Sequence, residues 1–132
     1  MAFLEHSREG GNLPFVYIPA SAITPVTGLA LAMSGGYAAI ASGTTMPQYI
    51  CMQTEDEAVE EGTIIAAVRV LPDTIWEAPC SADYSAVSIG SRVTIGTDGL
   101  TVTATTTGGN FEVTYIDGTD TGDLIRGRFC TE

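Results

Sequence analysis

The chain contains no lysine; its five cations are Arg8, Arg69, Arg92, Arg126 and Arg128, set against sixteen carboxylates. That excludes a Schiff-base lysine, a lysine general base and the phosphate-cradling lysine of a P-loop. The formal net charge of −11 leaves no basic footprint for nucleic acid or an anionic membrane, so neither is expected as a partner. Histidine is nearly absent: His6 stands alone, which is poor material for a metal site. Long apolar runs are missing too. The stretch 23–41 is interrupted by Pro25, Gly28, Gly35 and Gly36 and is not expected to span a bilayer. The opening MAFLEHSREGG puts Glu5, His6, Arg8 and Glu9 ahead of any apolar run, so no secretory leader is expected there. The cysteines Cys51, Cys80 and Cys130 are odd in number and form no C-x-x-C pair. Free thiols in a reducing compartment are the expectation. Charged residues make up 16% of the 132, below the usual ~25%. The surface must then be largely Thr, Ser, Gly and Ala, which suits packing against other protein because little charge needs desolvating.

What is present is a strand pattern. A chain of this length is expected to hold one domain. Residues 1–14 read as an extended N-terminal arm, since Gly10 and Gly11 resist helix and Pro14 imposes extension before it. Phe3 and Leu4 at its tip have nothing local to pack on, so the arm is expected either to be disordered or to dock on a neighbour. On that reading, residues 15–132 form a domain that folds without the arm. Within it, short strands are predicted at 15–18, 28–33, 37–41, 48–53, 63–71, 74–77, 91–95, 100–106, 110–116 and 124–129. Ser34-Gly35-Gly36 and Gly96-Thr97-Asp98-Gly99 mark tight hairpins. Alternation such as Phe111, Val113 and Tyr115 against Glu112 and Thr114 gives each strand one buried and one solvated face. The fold class is all-β: a compact barrel or sandwich of short antiparallel strands. Thr54 and Glu57 suggest at most one capped helical turn in the acidic segment 54–62.

Candidate chemistry is thin. Ala32-Met33-Ser34-Gly35-Gly36 has the form of a hydrolase nucleophile elbow. An elbow needs a strand-to-helix turn and a downstream histidine, whereas here another strand follows and His6 lies upstream. A glycine hairpin is the better reading. Asp117, Asp120 and Asp123 offer oxygen ligands, but their spacing is not that of an EF-hand, and Asp with Gly is ordinary turn chemistry. Glu55, Asp56, Glu57, Glu60 and Glu61 read as a solvated loop, with Arg126 and Arg128 as their counterparts across an assembly. Trp76 reads as core rather than interface anchor. No catalytic, cofactor-binding or metal site is expected, and the chain is read as a structural or binding module rather than an enzyme.

From Gly62 onward the order of turns and strands resembles a known group. Ile89-Gly90-Ser91-Arg92-Val93 stands as a strand-entry motif and Asp98-Gly99 as a hairpin. Residues 100–107 are a Thr-rich strand, and Gly122-Asp123-Leu124-Ile125-Arg126 opens the closing strand. This pattern is similar to the small β-barrel capsid decoration, or cement, proteins of tailed bacteriophages, with Ser91 where that family often has Asp. The first half matches more loosely. The resemblance implies a protein on the outer surface of an icosahedral head, often a homotrimer, that binds and bridges major capsid protein subunits without cofactor. It also implies that the arm reaches onto a neighbour. The residues expected to make contact are Phe3, Leu4, Leu13 and Phe15 in and beside the arm, with Arg126 and Arg128 on the last strand. The alternative is another virion module, such as a tail, fibre or receptor-binding domain, using loops 79–90 or 105–110.

Overall fold

A computed structural model describes residues 3–8, 15–71 and 73–130. Ten strands occur in chain order: β1 (Leu4–Arg8), β2 (Val16–Pro19), β3 (Ala30–Ser34), β4 (Tyr37–Ile40), β5 (Tyr49–Cys51), β6 (Ile64–Arg69), β7 (Thr74–Pro79), β8 (Arg92–Val93), β9 (Phe111–Ile116) and β10 (Leu124–Phe129). They form two antiparallel five-stranded sheets. The first has the order β1-β7-β10-β9-β8 and the second β2-β6-β5-β3-β4. No helix is found among the described residues. Of the two expected architectures, the sandwich is the one observed. The second sheet curls until its outer strands meet at one parallel bridge, Ala20 to Ala38. A single bridge does not close a barrel.

The layers follow from the side chains. Between the sheets lies a core of Ala30, Ile50 and Val68 from the second sheet against Trp76, Phe111, Val113, Ile125 and Phe129 from the first. Its centre is aromatic. Phe3, Phe111 and Phe129 pack with ring centroids 5.1–5.7 Å apart, and Trp76 reaches Phe129 at 6.4 Å. Each such pair adds about 0.5–1.5 kcal/mol beyond the area it buries. A second core, with Ile18, Leu29, Leu31, Cys51 and Ile65, fills the concave side of the second sheet. It is roofed in part by Ile23, Val26 and Val59.

Several expectations are corrected. The N-terminal segment does not stand off the domain: β1 pairs with β7 from Leu4↔Glu77 to Arg8↔Thr74. Phe3 has no exposed surface, because the aromatic core supplies the packing that its local sequence lacks. The Thr-rich segment 100–107 is not a strand. Only Val102 bridges, to Ile95 and Cys80. Main-chain bonds still join the segment to residues 94–96, and at the turn between them Asp98 Oδ1 accepts from the Leu100 N–H and the Thr101 hydroxyl. Thr54 caps no helical turn. Its Oγ1 accepts the Thr27 N–H at 3.0 Å and ties the acidic loop to the chain entering β3. Trp76 is fully buried core, as read.

Candidate partner interface

The outward face of the first sheet is built by register. Leu4 lies opposite Glu77, Glu77 opposite Arg126, and Arg126 opposite Tyr115, a row crossing β1, β7, β10 and β9. Arg126 is held from both sides. Its Nε donates to Glu77 Oε2 at 3.0 Å, and its guanidinium lies 4.8 Å from the centroid of the Tyr115 ring. One row on, Arg128 Nε donates to Glu112 Oε1 at 2.8 Å, and Arg92 is the residue opposite Glu112 on β8. The carboxylates that answer Arg126 and Arg128 are therefore in their own sheet. Antiparallel pairing sets each Glu beside its Arg within the fold.

The second sheet differs. From Gly10 to Thr54 the chain has no charged side chain at all, and this stretch supplies β2, β3, β4 and β5. On its edge strand β2, Tyr17 is 68% exposed, with Phe15 just before it at 52% and Ile64 of neighbouring β6 at 58%. Pro19 lies opposite Ile64 and Tyr17 opposite Ala66, so Tyr17 and Ile64 are diagonal neighbours. Large apolar side chains on an edge strand that carries no charge of its own are the kind of surface another chain can pair with.

The contact residues expected from sequence are thus divided. Phe15 belongs to the exposed apolar strip. Leu4 is half-exposed at the end of the Leu4–Glu77–Arg126–Tyr115 row. Arg126 and Arg128 lie on the surface but are paired within the sheet. Phe3 is core and not available to a partner. Leu13 lies outside the described residues. Tyr17 and Ile64 were missed by sequence reading. The signal that finds Tyr17 is the absence of charge over residues 10–54, which hydrophobic periodicity does not register; Ile64 joins it only through the pairing of β2 with β6.

Other candidates resolve as structure. Ser34 ends β3 opposite Tyr37, and Gly35 and Gly36 supply the two positive φ angles, 61° and 90°, of a two-residue hairpin. No strand-to-helix elbow exists there. The loop carrying Asp117, Asp120 and Asp123 is closed on itself: Asp123 Oδ2 accepts the Asp120 N–H at 3.0 Å. Among the described residues no group of three His, Cys, Asp or Glu could hold a metal ion. Loop 79–90 is pinned by buried Tyr84, whose hydroxyl donates to the Thr103 carbonyl. Burial, and secondarily nearby Cys80, push the Tyr84 phenol well above its ordinary value.

No protein-family model matches the chain, and no curated protein matches it. Among solved structures, the head fibre gp8.5 N base of bacteriophage phi29 is similar, with a TM-score of 0.56 and 21% identity. The match covers 88% of this chain and 94% of that one. The likeness is one of fold. It spans nearly the whole of both chains, so both sheets of the sandwich are included.

Proposed function

We propose that the chain is a structural protein of a bacteriophage virion, attached to the outer surface of the head. The observation that carries this reading is the likeness to the phi29 head fibre base over nearly the full length of both chains. The resemblance of the Ile89–Arg126 pattern to decoration proteins points the same way by an independent route. Within that reading the chain is a decoration protein that bridges major capsid protein subunits as a homotrimer. Its self-association and capsid contacts use the uncharged strip of Phe15, Tyr17 and Ile64. A neutral strip lets copies of a −11 chain approach where their carboxylates are not. A second reading, the base of a head fibre, is favoured by what that solved structure is. Both need protein contacts and no reactive group.

The test has two measurements. Native mass spectrometry of the purified chain should give a trimer, and the Tyr17→Asp, Ile64→Asp double variant should be a folded monomer. Quantitative proteomics of the purified parent virion should find hundreds of copies for a decoration protein and few for a fibre base. A chain absent from the virion would falsify both readings.

A further inference from the structure

We propose that the pocket beside Arg69 binds a carboxylate carried on a small apolar body. The pocket is about 300 Å3 and is lined by the apolar Met46, Pro47, Val70 and Leu71 together with Tyr49 and Arg69. Tyr49 and Arg69 are directly opposite on β5 and β6, and the guanidinium lies 5.4 Å from the ring centroid. The ring face attracts the cation, and the guanidinium's planar N–H fork matches a carboxylate. Gln48 also lines the pocket, but its side-chain oxygen is committed to the Met33 N–H at 2.7 Å.

The decisive feature is what Arg69 lacks. Arg126 and Arg128 each hold a carboxylate, while among the described residues none pairs with Arg69, and the Tyr49 hydroxyl has no hydrogen-bond partner there. Strands β2 to β5 contain no acid that could pair with it. Although the chain has sixteen carboxylates, among the described residues this arginine of the pocket lining holds none of them. One guanidinium matches one carboxylate. A phosphate dianion calls for further cations, and the net charge of −11 opposes a dianion more than a monoanion. The same group is presented by a free small acid or by the C-terminal carboxylate of a chain ending in an apolar residue. The site stands independently of the virion reading.

The experiment is a titration followed by the backbone amide shifts of Tyr49, Arg69 and Leu71 in nuclear magnetic resonance spectra. The probe is N-acetyl-leucine, with N-acetyl-leucinamide as the neutral control. The expected result is saturable binding at about 1 mM, as suits a ligand of this size. The amide, and the acid with Arg69→Gln, should each bind ~10-fold more weakly. Arg69 is exposed, so the variant should keep the parent spectrum elsewhere. A peptide ending in free leucine that binds more tightly than N-acetyl-leucine assigns the source to a partner's C-terminus. Equal affinity assigns it to a free acid. Acid and amide binding alike, unchanged binding in Arg69→Gln, or no saturable shift up to roughly 50 mM acid overturns the proposal.

Discussion

The strands of the first sheet carry Arg8, Arg92, Arg126 and Arg128, four of the five cations, while the second sheet has one, Arg69 on β6. Beneath the first sheet lies the aromatic core, and on its outer face arginines and glutamates pair across strands. The second sheet encloses small and aliphatic residues and shows Phe15, Tyr17 and Ile64 to solvent. The two sheets bury similar strands but carry opposite surfaces. Charge paired in register is compatible with water and keeps a sheet face from stacking on another. A surface without charge has little to lose on leaving water. The contrast sets a face of paired charge against one without charge, the face on which the proposed protein contacts rest.

The comparison is tested hardest at Phe3. If the segment before residue 15 is part of the first sheet's core, Phe3→Ala should cost about 3–5 kcal/mol, the range for deleting a buried phenylalanine. Phe15→Ala on the second sheet should stay within roughly 0.5 kcal/mol, because Phe15 is half-exposed. Urea unfolding of both variants decides it. A Phe3→Ala protein as stable as the parent would restore the free arm and remove β1 from the fold.

Next is Gly127, where the β9–β10 register shifts between Arg126 and Gly127. A Cβ there would lie 2.3 Å from the Glu112 carbonyl oxygen and 2.5 Å from the Phe111 ring. Neither neighbour yields cheaply, one being backbone and the other core. Gly127→Ala should cost about 2 kcal/mol by overpacking, read as a lowered urea midpoint. Gly35→Ala touches nothing within 4 Å, so any cost there comes from its positive φ of 61° alone.

Tyr84 belongs to the inter-sheet core, and its phenol is held above the ordinary value of 10.0 chiefly by burial. The folded state keeps the proton while the unfolded state releases it above about pH 10. The unfolded state then binds fewer protons, so stability falls as pH rises, by about 1.4 kcal/mol per unit. Thermal melts from pH 9 to 11 should show this fall. Tyr84→Phe should flatten it, at the cost of the hydroxyl's bond to Thr103.

Most of the strand ladder was legible because period-2 patterning is a local signal. β3, β4, β6, β9 and β10 lie where alternation or β-branched runs put them, and the Gly35-Gly36 hairpin follows from its glycines. Two failures have physical causes. Phe3 looked unpartnered because its partners, Phe111 and Phe129, are over a hundred residues away in sequence and reach it only through β1–β7–β10 pairing. Residues 100–107 alternate like a strand, yet their main-chain bonds are shared between 94–96 on one side and 79–81 on the other, so only isolated bridges at Val102 form; the Thr94–Thr103 hydroxyl pair at 2.6 Å adds to them. The expected partner residues were sought where apolar or charged side chains stood out. Tyr17 is marked by the absence of charge around it in sequence, and Ile64 only by the placing of β6 beside β2.

The smallest effect is expected at the ion pair that joins β7 to β10. Arg126 and Glu77 side chains are 34% and 22% exposed, so water screens much of their attraction. Glu77→Gln should cost about 0.5 kcal/mol, and less in high salt. Tyr17→Ser on the second sheet should cost the monomer about nothing and be indifferent to salt, because Tyr17 is two-thirds exposed and no charge is near it in sequence. Urea melts at low and high ionic strength, run on both variants, measure the difference directly. If Tyr17→Ser responds to salt as Glu77→Gln does, then charge reaches the second sheet's edge from the acidic loop. The division between a charged face and a neutral one, on which the proposed contacts rest, would then be drawn in the wrong place.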